Sequence, residues 1–135
     1  MQAPAFAAAV TLLLAACGSG ASDDEQIRGV LETFLAGYNE NSAQDAYGVL
    51  DSKTQAACSL DDFQEFYGFA KVIIGDQELR LSAFEDVRVD GDRATALVGT
   101  LVGDIPSDEP PELTEFVREG GEWRLVLEDG DCKVQ

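Results

Sequence analysis

The chain has 135 residues, of which 26 are acidic, 9 are basic and none is histidine, so its formal net charge is −17. This charge would repel nucleic acid, and we predict no nucleic-acid partner. The lack of histidine removes the commonest general base and metal ligand, so we expect neither a metal site nor a cofactor. Solubility explains the acidity, and a specific cationic partner is the alternative.

An apolar segment at the N-terminus covers Ala3–Ala16 and runs into Leu14-Ala15-Ala16-Cys17. Its about 14 residues fall short of the ~20 that a helix needs to cross the hydrocarbon core, which indicates a signal segment. The last four residues resemble the lipobox of bacterial lipoproteins. This resemblance implies cleavage before Cys17, a palmitate-type lipid on its thiol, and anchoring to the extracytoplasmic face of the cell membrane.

One feature departs from an ordinary signal peptide, because no Lys or Arg precedes Arg28. An upstream start or an unusual signal would account for the missing basic residues. The alternative to a lipoprotein is an ordinary cleaved signal, with Cys17 merely near the cut. On the lipoprotein interpretation, residues 1–16 are the signal peptide, 17–22 a lipidated tether, and 23–135 one domain with a modest core.

Lipidation of Cys17 would leave an even pair of cysteines, Cys58 and Cys132. In an oxidising compartment such a pair predicts a disulfide bond. The bond would close a loop of about 75 residues, for which the chain-entropy model gives a stabilisation of roughly 4 kcal/mol. The alternative is two buried free thiols.

Three helices are predicted before Glu78, the first ending near Asn39. Each begins with a serine followed three residues later by an acidic residue, as in a helix-capping pattern. The pairs are Ser22 with Glu25, Ser42 with Asp45, and Ser59 with Asp62. Apolar residues then recur at helical spacing, so each helix buries one stripe. The three stripes are Ile27, Val30, Leu31, Phe34, Leu35 and Tyr38; Ala46, Tyr47 and Leu50; and Leu60, Phe63, Phe66, Tyr67 and Ala70.

From Glu78 onward the apolar residues alternate, which predicts one long strand up to Val89. Asp90-Gly91 is a two-residue hairpin signal that would pair Val89 with Asp92 and Val87 with Ala94. In that register the return strand continues the core face. Its inward residues would be Ala94, Ala96, Val98 and Val102.

A second hairpin is predicted after a proline-rich connection, residues 103–111, that cannot join a sheet ladder. The strands Leu113–Arg118 and Trp123–Leu127 flank Gly120-Gly121, which makes Arg118 and Trp123 cross-strand neighbours with a cation–π contact. The inward residues of this hairpin would be Phe116, Trp123, Leu125 and Leu127.

Three helices followed by four antiparallel strands is an α+β order in which a curved sheet wraps the first helix. The Val87–Asp92 hairpin with its Ala94 and Ala96 return, and the ending around Gly121–Arg124, are similar to the NTF2-like (cystatin-like) superfamily. The resemblance covers residues 22–132. It implies a cone of sheet and helices whose open end often holds a small apolar ligand, but it specifies no chemistry.

Some NTF2-like proteins are isomerases or cyclases, so the resemblance implies candidate residues for a lining of the cone. These are Phe34, Tyr38, Phe66, Ala96, Phe116 and Trp123. The competing interpretation is that all six are plain core residues. The two interpretations predict different functions, since only an open cone can hold a small apolar ligand.

Glu85 is the one carboxylate with the parity of an inward position, on the face of Leu81 and Val87. If the strand is regular, Glu85 is buried, its pKa is raised, and it becomes a candidate catalytic base. The alternative is a β-bulge at Glu85-Asp86 that turns the carboxylate to water, which we favour because an unpaired buried charge is costly. We therefore assign no catalytic residue, with Glu85 as the weak alternative.

The sequence predicts a non-enzymatic binding or accessory module on the outer face of the membrane. Its partner would be a protein or a small apolar ligand. The alternative is a small-molecule carrier or isomerase-like enzyme that uses the cone.

Overall fold

A computed structural model describes residues 22–105 and 108–128 of the chain. The described residues form four helices followed by four strands. The helices are α1 (Asp23–Asn39), α2 (Ala43–Tyr47), α3 (Ser52–Ala57) and α4 (Leu60–Ile74). The strands are β1 (Leu79–Asp90), β2 (Arg93–Val102), β3 (Glu112–Glu119) and β4 (Glu122–Val126). They form one antiparallel sheet in the order β1-β2-β3-β4, which confirms the α+β meander.

The three predicted helix starts are confirmed by their hydrogen bonds. The backbone N–H of Glu25 donates to the Ser22 hydroxyl, and the Glu25 carboxylate accepts in return from the Ser22 N–H, 3.1 Å away, which completes a capping box. The hydroxyls of the other two serines accept from the backbone three residues on. Local side-chain chemistry therefore sets where these helices begin.

The predicted count of three helices is wrong, because helix α3 was missed. Asp51 caps it by accepting from the Thr54 backbone N–H at 3.2 Å. The second predicted helix is also shorter than its apolar stripe, since it ends at Tyr47 and Leu50 lies beyond it. Leu50 forms a parallel bridge to Leu125, with hydrogen bonds on both sides of it, and so covers the outer edge of β4.

The register of the first hairpin differs from the prediction. Val89 pairs with Ala94 and Asp90 pairs with Arg93, so the turn consists of Gly91 and its successor rather than Asp90 and Gly91. Gly91 has φ +63°, a left-handed conformation that favours glycine, and it occupies the first turn position. Three of the four predicted inward residues of β2, Ala94, Ala96 and Val98, are nevertheless in the core or packed against it, because alternation is intrinsic to a strand.

The second hairpin is confirmed, with Glu119 paired to Glu122 around two glycines of positive φ. Helix α1 lies across the inner face of the sheet and buries Ile27 and Leu31 there. The core formed by helices and sheet consists of Ile27, Leu31, Tyr38, Ala46, Leu50, Cys58, Phe63, Tyr67, Ala94, Ala96, Phe116, Trp123 and Leu125.

A close backbone approach and a pair of side-chain hydrogen bonds hold α1 against its neighbours. A Cβ placed on Gly37 would lie 2.8 Å from the Ala46 backbone nitrogen, so only glycine lets α1 approach α2 this closely. At the C-terminal end of α1, the Asn39 amide group donates to the Leu79 carbonyl at 2.9 Å and accepts from the Leu79 N–H at 2.8 Å. The side chain of Asn39 thus ties the end of the helix to the first residue of β1.

Candidate functional site

The six candidate residues for a cone lining occupy two different environments. Tyr38, Ala96, Phe116 and Trp123 are buried members of the core. Phe34 and Phe66 are half-buried on the helical side. Four of the six are therefore core-filling side chains.

Aromatic rings fill the space between helices α1, α2 and α4. The Tyr38 ring meets the Tyr67 ring edge-on with centroids 5.2 Å apart, and Phe63 lies 5.4 Å from Tyr67. The rings of Phe34 and Tyr47 also pack on Phe63, with centroids 6.2 and 5.5 Å from its centroid. These offset and edge geometries are those that aromatic pairs prefer, so the cluster is a stable packing unit.

The Tyr67 hydroxyl is the one polar group in this cluster that has no hydrogen-bond partner among the described residues. Burial raises the pKa of Tyr67 above its ordinary value, and the nearby Tyr38 and Asp45 raise it further. Burial also raises the pKa of Tyr38, whose hydroxyl donates a long hydrogen bond to the Ala70 carbonyl, 3.5 Å away. Both phenols stay protonated at neutral pH and cannot act there as bases.

The predicted cation–π contact is confirmed, because the Arg118 guanidinium carbon lies 4.8 Å from the centroid of the Trp123 ring. The same guanidinium donates to the carboxylates of Asp23 and Asp92 and to the Gly91 carbonyl. The arginine thus joins the first turn of α1 to the first hairpin and to β4. All its contacts are within the fold, which makes it a structural residue.

Glu85 is exposed because β1 is irregular before it. The pairing shifts between Leu81 and Ala83, which leaves Ser82 as an extra residue. After this bulge Phe84, paired with Val98, faces the core, and Glu85 faces away from it. The candidate catalytic base is therefore exposed to water.

A second irregularity follows between Glu85 and Arg88. It includes Glu85-Asp86, the position at which the sequence analysis expects a bulge. Asp86 adopts a left-handed φ of +55° there, and its carboxylate accepts from Arg88 at 3.2 Å. This second bulge returns Val87 to the core side, where it packs on the buried cluster. The exposure of Glu85 confirms the expectation that we favoured over a regular strand. The bulge that turns Glu85 outward is the earlier one at Ser82, which the sequence did not predict.

The described surface has an open groove of about 760 Å³ between α1 and α2. Its walls include Thr33, Glu40, Asp45, Val49 and Leu60. A smaller cavity of about 390 Å³ lies at the β1–β2 edge near Ser82, Gly99 and Pro110.

No group of three or more His, Cys, Asp or Glu side chains within residues 22–105 and 108–128 could hold a metal ion.

The outer face of helix α4 was missed by the sequence analysis. The predicted stripe of this helix faces the core through Phe63 and Tyr67, but the helix is apolar on its other side as well. There Phe69, Val72 and Ile73 are 51%, 82% and 67% exposed. The signal that could have revealed this surface is the run from Phe66 to Ile74, which is apolar all round apart from Lys71.

The two cysteines at the ends of the chain, Cys17 and Cys132, lie outside the described residues. Cys58 is buried between α3 and α4, and its carbonyl accepts from the Tyr47 hydroxyl at 2.7 Å. The lipid on Cys17 and the pairing of Cys58 with Cys132 therefore stay predictions.

In the part of the chain that the structure covers, no helix is both long enough and apolar enough to span a membrane.

Comparison with a solved structure places the described fold in a class. A crystal structure from Thiobacillus denitrificans, described as a putative calcium/calmodulin-dependent protein kinase type II association domain, aligns with a TM-score of 0.54 and 15% identity. The alignment covers 73% of this chain and 89% of the other. The described α+β domain has an NTF2-like fold. No family model and no curated protein matches the sequence.

Proposed function

We propose that this protein is a membrane-anchored, extracytoplasmic binding or accessory module without enzymatic activity. The main observation in favour of a binding module rather than an enzyme is the packing of the predicted cone. Tyr38, Ala96, Phe116 and Trp123 are buried in contact with the rest of the core rather than lining an open site. A domain whose interior is occupied by its own side chains acts through its surface.

Two further features support a surface-acting module. The outer face of α4 exposes Phe69, Val72 and Ile73 together, and contiguous exposed apolar side chains are typical of interaction sites. The Thiobacillus protein with the same fold is described as an association domain, which is a binding rather than a catalytic description. The net charge of −17 argues against nucleic acid as the partner.

The alternative is a small-molecule carrier or isomerase-like enzyme that uses the cone. Its support is the half-buried pair Phe34 and Phe66, together with the unpartnered hydroxyl of Tyr67. Proton abstraction would also need an inward carboxylate, and Glu85 is exposed. The binding module therefore has the stronger support.

Membrane anchoring is tested by Cys17→Ser in the full chain, with Ser19→Ala as a matched control in the same segment. We expect Cys17→Ser to release the protein or to leave the precursor unprocessed, because the thiol is the group that would carry the lipid. Fractionation and intact-mass measurement check this. Membrane retention and normal processing of Cys17→Ser would contradict the anchor.

Whether the cone holds a small molecule is tested separately by native mass spectrometry of the protein released from its own membrane. We expect masses that correspond to the polypeptide and its anchor, with no additional small molecule. A retained apolar ligand, lost on Phe34→Ala but kept on Phe69→Ala, would instead establish the carrier alternative. Phe69 is a suitable control because it is an exposed phenylalanine on α4.

A further inference from the structure

Helix α1 has one end beside the proposed anchor and one end away from it. Ser22, which caps α1, is five residues beyond Cys17, so the chain between them can span at most about 18 Å. The 17 residues of α1 extend about 26 Å at the usual helical rise. If Cys17 carries the lipid, the first turn of α1 is held close to the membrane, whereas its last turn can lie much farther out.

The turns of both hairpins lie at the anchored end of α1. The Asp23 carboxylate accepts from Trp123 and Arg118, and Arg118 also donates to the Gly91 carbonyl in the first hairpin turn, 3.0 Å away. Arg118 and Trp123 are cross-strand partners, so the second turn at Gly120-Gly121 is adjacent to them. The first turn of α1 and the two hairpin turns thus form one end of the domain, which we call the tether end.

The opposite end of the domain contains the open groove between α1 and α2. Asn39, the last residue of α1, bonds to Leu79, the first residue of β1, so β1 runs back from there to the hairpin turn at the tether end. The groove walls include Thr33 and Glu40, which lie in the second half of α1 and at its C-terminal cap. The groove is therefore separated from the tether end by much of the length of α1.

Charge decides how a domain that is held at one end is oriented on an anionic membrane. Every charged residue of the chain lies at or beyond Asp23, so the domain carries the whole net charge of −17. Anionic headgroups repel such a domain wherever it comes within a Debye length, about 8–10 Å at physiological salt. Because the domain is attached at one end only, this repulsion disfavours orientations in which a flank of the domain approaches the lipid.

The basic residues do little to oppose this repulsion. Attraction to anionic lipid usually requires a cluster of about four to eight Lys or Arg residues. Five of the nine basic residues pair with carboxylates within the fold, namely Arg28, Arg80, Arg88, Arg118 and Arg124. The other four are spread along the chain, at Lys53, Lys71, Arg93 and Lys133.

We propose that, on a membrane with anionic headgroups, the domain is oriented with its tether end toward the lipid and the C-terminal end of α1 pointing away from it. The groove between α1 and α2 then opens to the aqueous side. This inference rests on the proposed anchor at Cys17 and specifies which end of the module is presented to a partner. A partner that binds at the groove approaches from the water and not from within the lipid.

Energy transfer from a fluorescent donor on the domain to acceptor-labelled headgroups tests the orientation. The protein released from its own membrane is placed in vesicles of phosphatidylcholine with or without phosphatidylglycerol. The donor is an unnatural amino acid that replaces Asp90 at the tether end, Glu40 at the opposite end, or Glu65 on α4, one turn before Phe69. All three are exposed acidic residues, so the labelled proteins have the same charge.

On vesicles that contain phosphatidylglycerol, transfer from Asp90 should exceed transfer from Glu40 by at least about twofold, because the length of α1 separates the two positions. The difference should shrink on pure phosphatidylcholine and in about 1 M salt, where the Debye length is about 3 Å. Equal transfer from the two positions, or a difference that salt and lipid charge do not change, would overturn the proposal. The strongest transfer from Glu65 would also overturn it, because α4 would then lie on the lipid.

The anchor and the orientation fail separately. If the protein carries no lipid, the anchor is wrong, and the Cys17 thiol is then coupled to a maleimide-bearing headgroup to supply the same attachment point. The Cys132→Ser variant is used for this coupling, since Cys58 is buried and Cys17 is then the accessible thiol. The same three donor positions measure the orientation, with the same expected order and the same results that would overturn it.

Discussion

The indole nitrogen of Trp123 donates a hydrogen bond to the carboxylate of Asp23, 3.1 Å away, and so joins strand β4 to the first turn of helix α1. The same carboxylate oxygen accepts from Arg118, which lies over the indole ring. Asp23, in the first turn of α1, therefore links the beginning of the described chain to strand β4 near its end. It also places a negative charge where the helix dipole favours it.

Replacing Asp23 tests this connection. Asp23→Ala should lower the free energy of unfolding by about 1–2 kcal/mol, because the buried indole N–H is left without an acceptor. The control is Asp24→Ala, which removes the neighbouring acidic residue of the same first turn and is exposed. Chemical denaturation monitored by tryptophan fluorescence measures both. Equal losses in the two variants would show that only the helix dipole matters.

The unpartnered hydroxyl of Tyr67 predicts a stabilising mutation. Tyr67→Phe should raise the free energy of unfolding by about 1 kcal/mol, because the variant no longer desolvates a hydroxyl without a hydrogen bond. Tyr47→Phe should do the opposite by a similar amount, since the Tyr47 hydroxyl donates to the Cys58 carbonyl at 2.7 Å. Denaturant midpoints at neutral pH decide between these signs. A loss of stability in Tyr67→Phe would mean that its hydroxyl has a partner, such as a water molecule.

The same tyrosine predicts how stability depends on alkaline pH. Its pKa is raised in the folded protein, mainly by burial, so the folded state holds the phenolic proton more tightly than the unfolded state does. The stabilisation is fully present below the unfolded pKa of about 10 and is lost as the pH rises above it. Unfolding measured between pH 8 and about 11 should therefore show a shallower decline in Tyr67→Phe than in the natural protein. Parallel declines would contradict this.

Glu85 should contribute little to stability. Because it is exposed, Glu85→Gln should change the free energy of unfolding by less than ~0.5 kcal/mol. The comparison is Glu119→Gln, since the Glu119 carboxylate accepts from the Ser52 hydroxyl at 2.8 Å and from the Ser52 backbone N–H. We expect the second change to cost about 1 kcal/mol. A large gain from Glu85→Gln would restore Glu85 as a buried base and would favour the enzymatic alternative.

The predicted disulfide is tested by alkylation of the mature protein before reduction. We expect neither Cys58 nor Cys132 to be modified in the folded or in the denatured, unreduced protein. Modification after denaturation alone would instead show two thiols that are merely protected by burial. Reduction should lower the melting temperature, because opening a loop of about 75 residues restores entropy to the unfolded chain.

Much of the fold could be predicted from short-range patterns. The three serine caps, the glycine pair between β3 and β4, and the alternation of Phe116, Trp123 and Leu125 all act within a few residues, where side-chain chemistry and strand geometry dominate. The missed helix α3 follows its capping residue, Asp51, but lacks the apolar stripe that marked the other three helices. Its short length left too few turns for a periodic signal.

The bulge at Ser82 and the exposure of the outer face of α4 were decided only by the tertiary structure. Alternation predicts the face of a strand residue while the strand is regular, and the bulge at Ser82 reverses it through pairing with a distant strand. Helical spacing placed Phe63 on the core side of α4, but only the packing of the whole fold left the equally apolar Phe69 and Val72 uncovered on the other side. Residue chemistry by itself thus indicated three of the four helices, the four strands and the acidic character, and it predicts the anchor at Cys17. Which side chains face the core depends on contacts between residues far apart in the chain, because burial belongs to the assembled fold and not to any single segment.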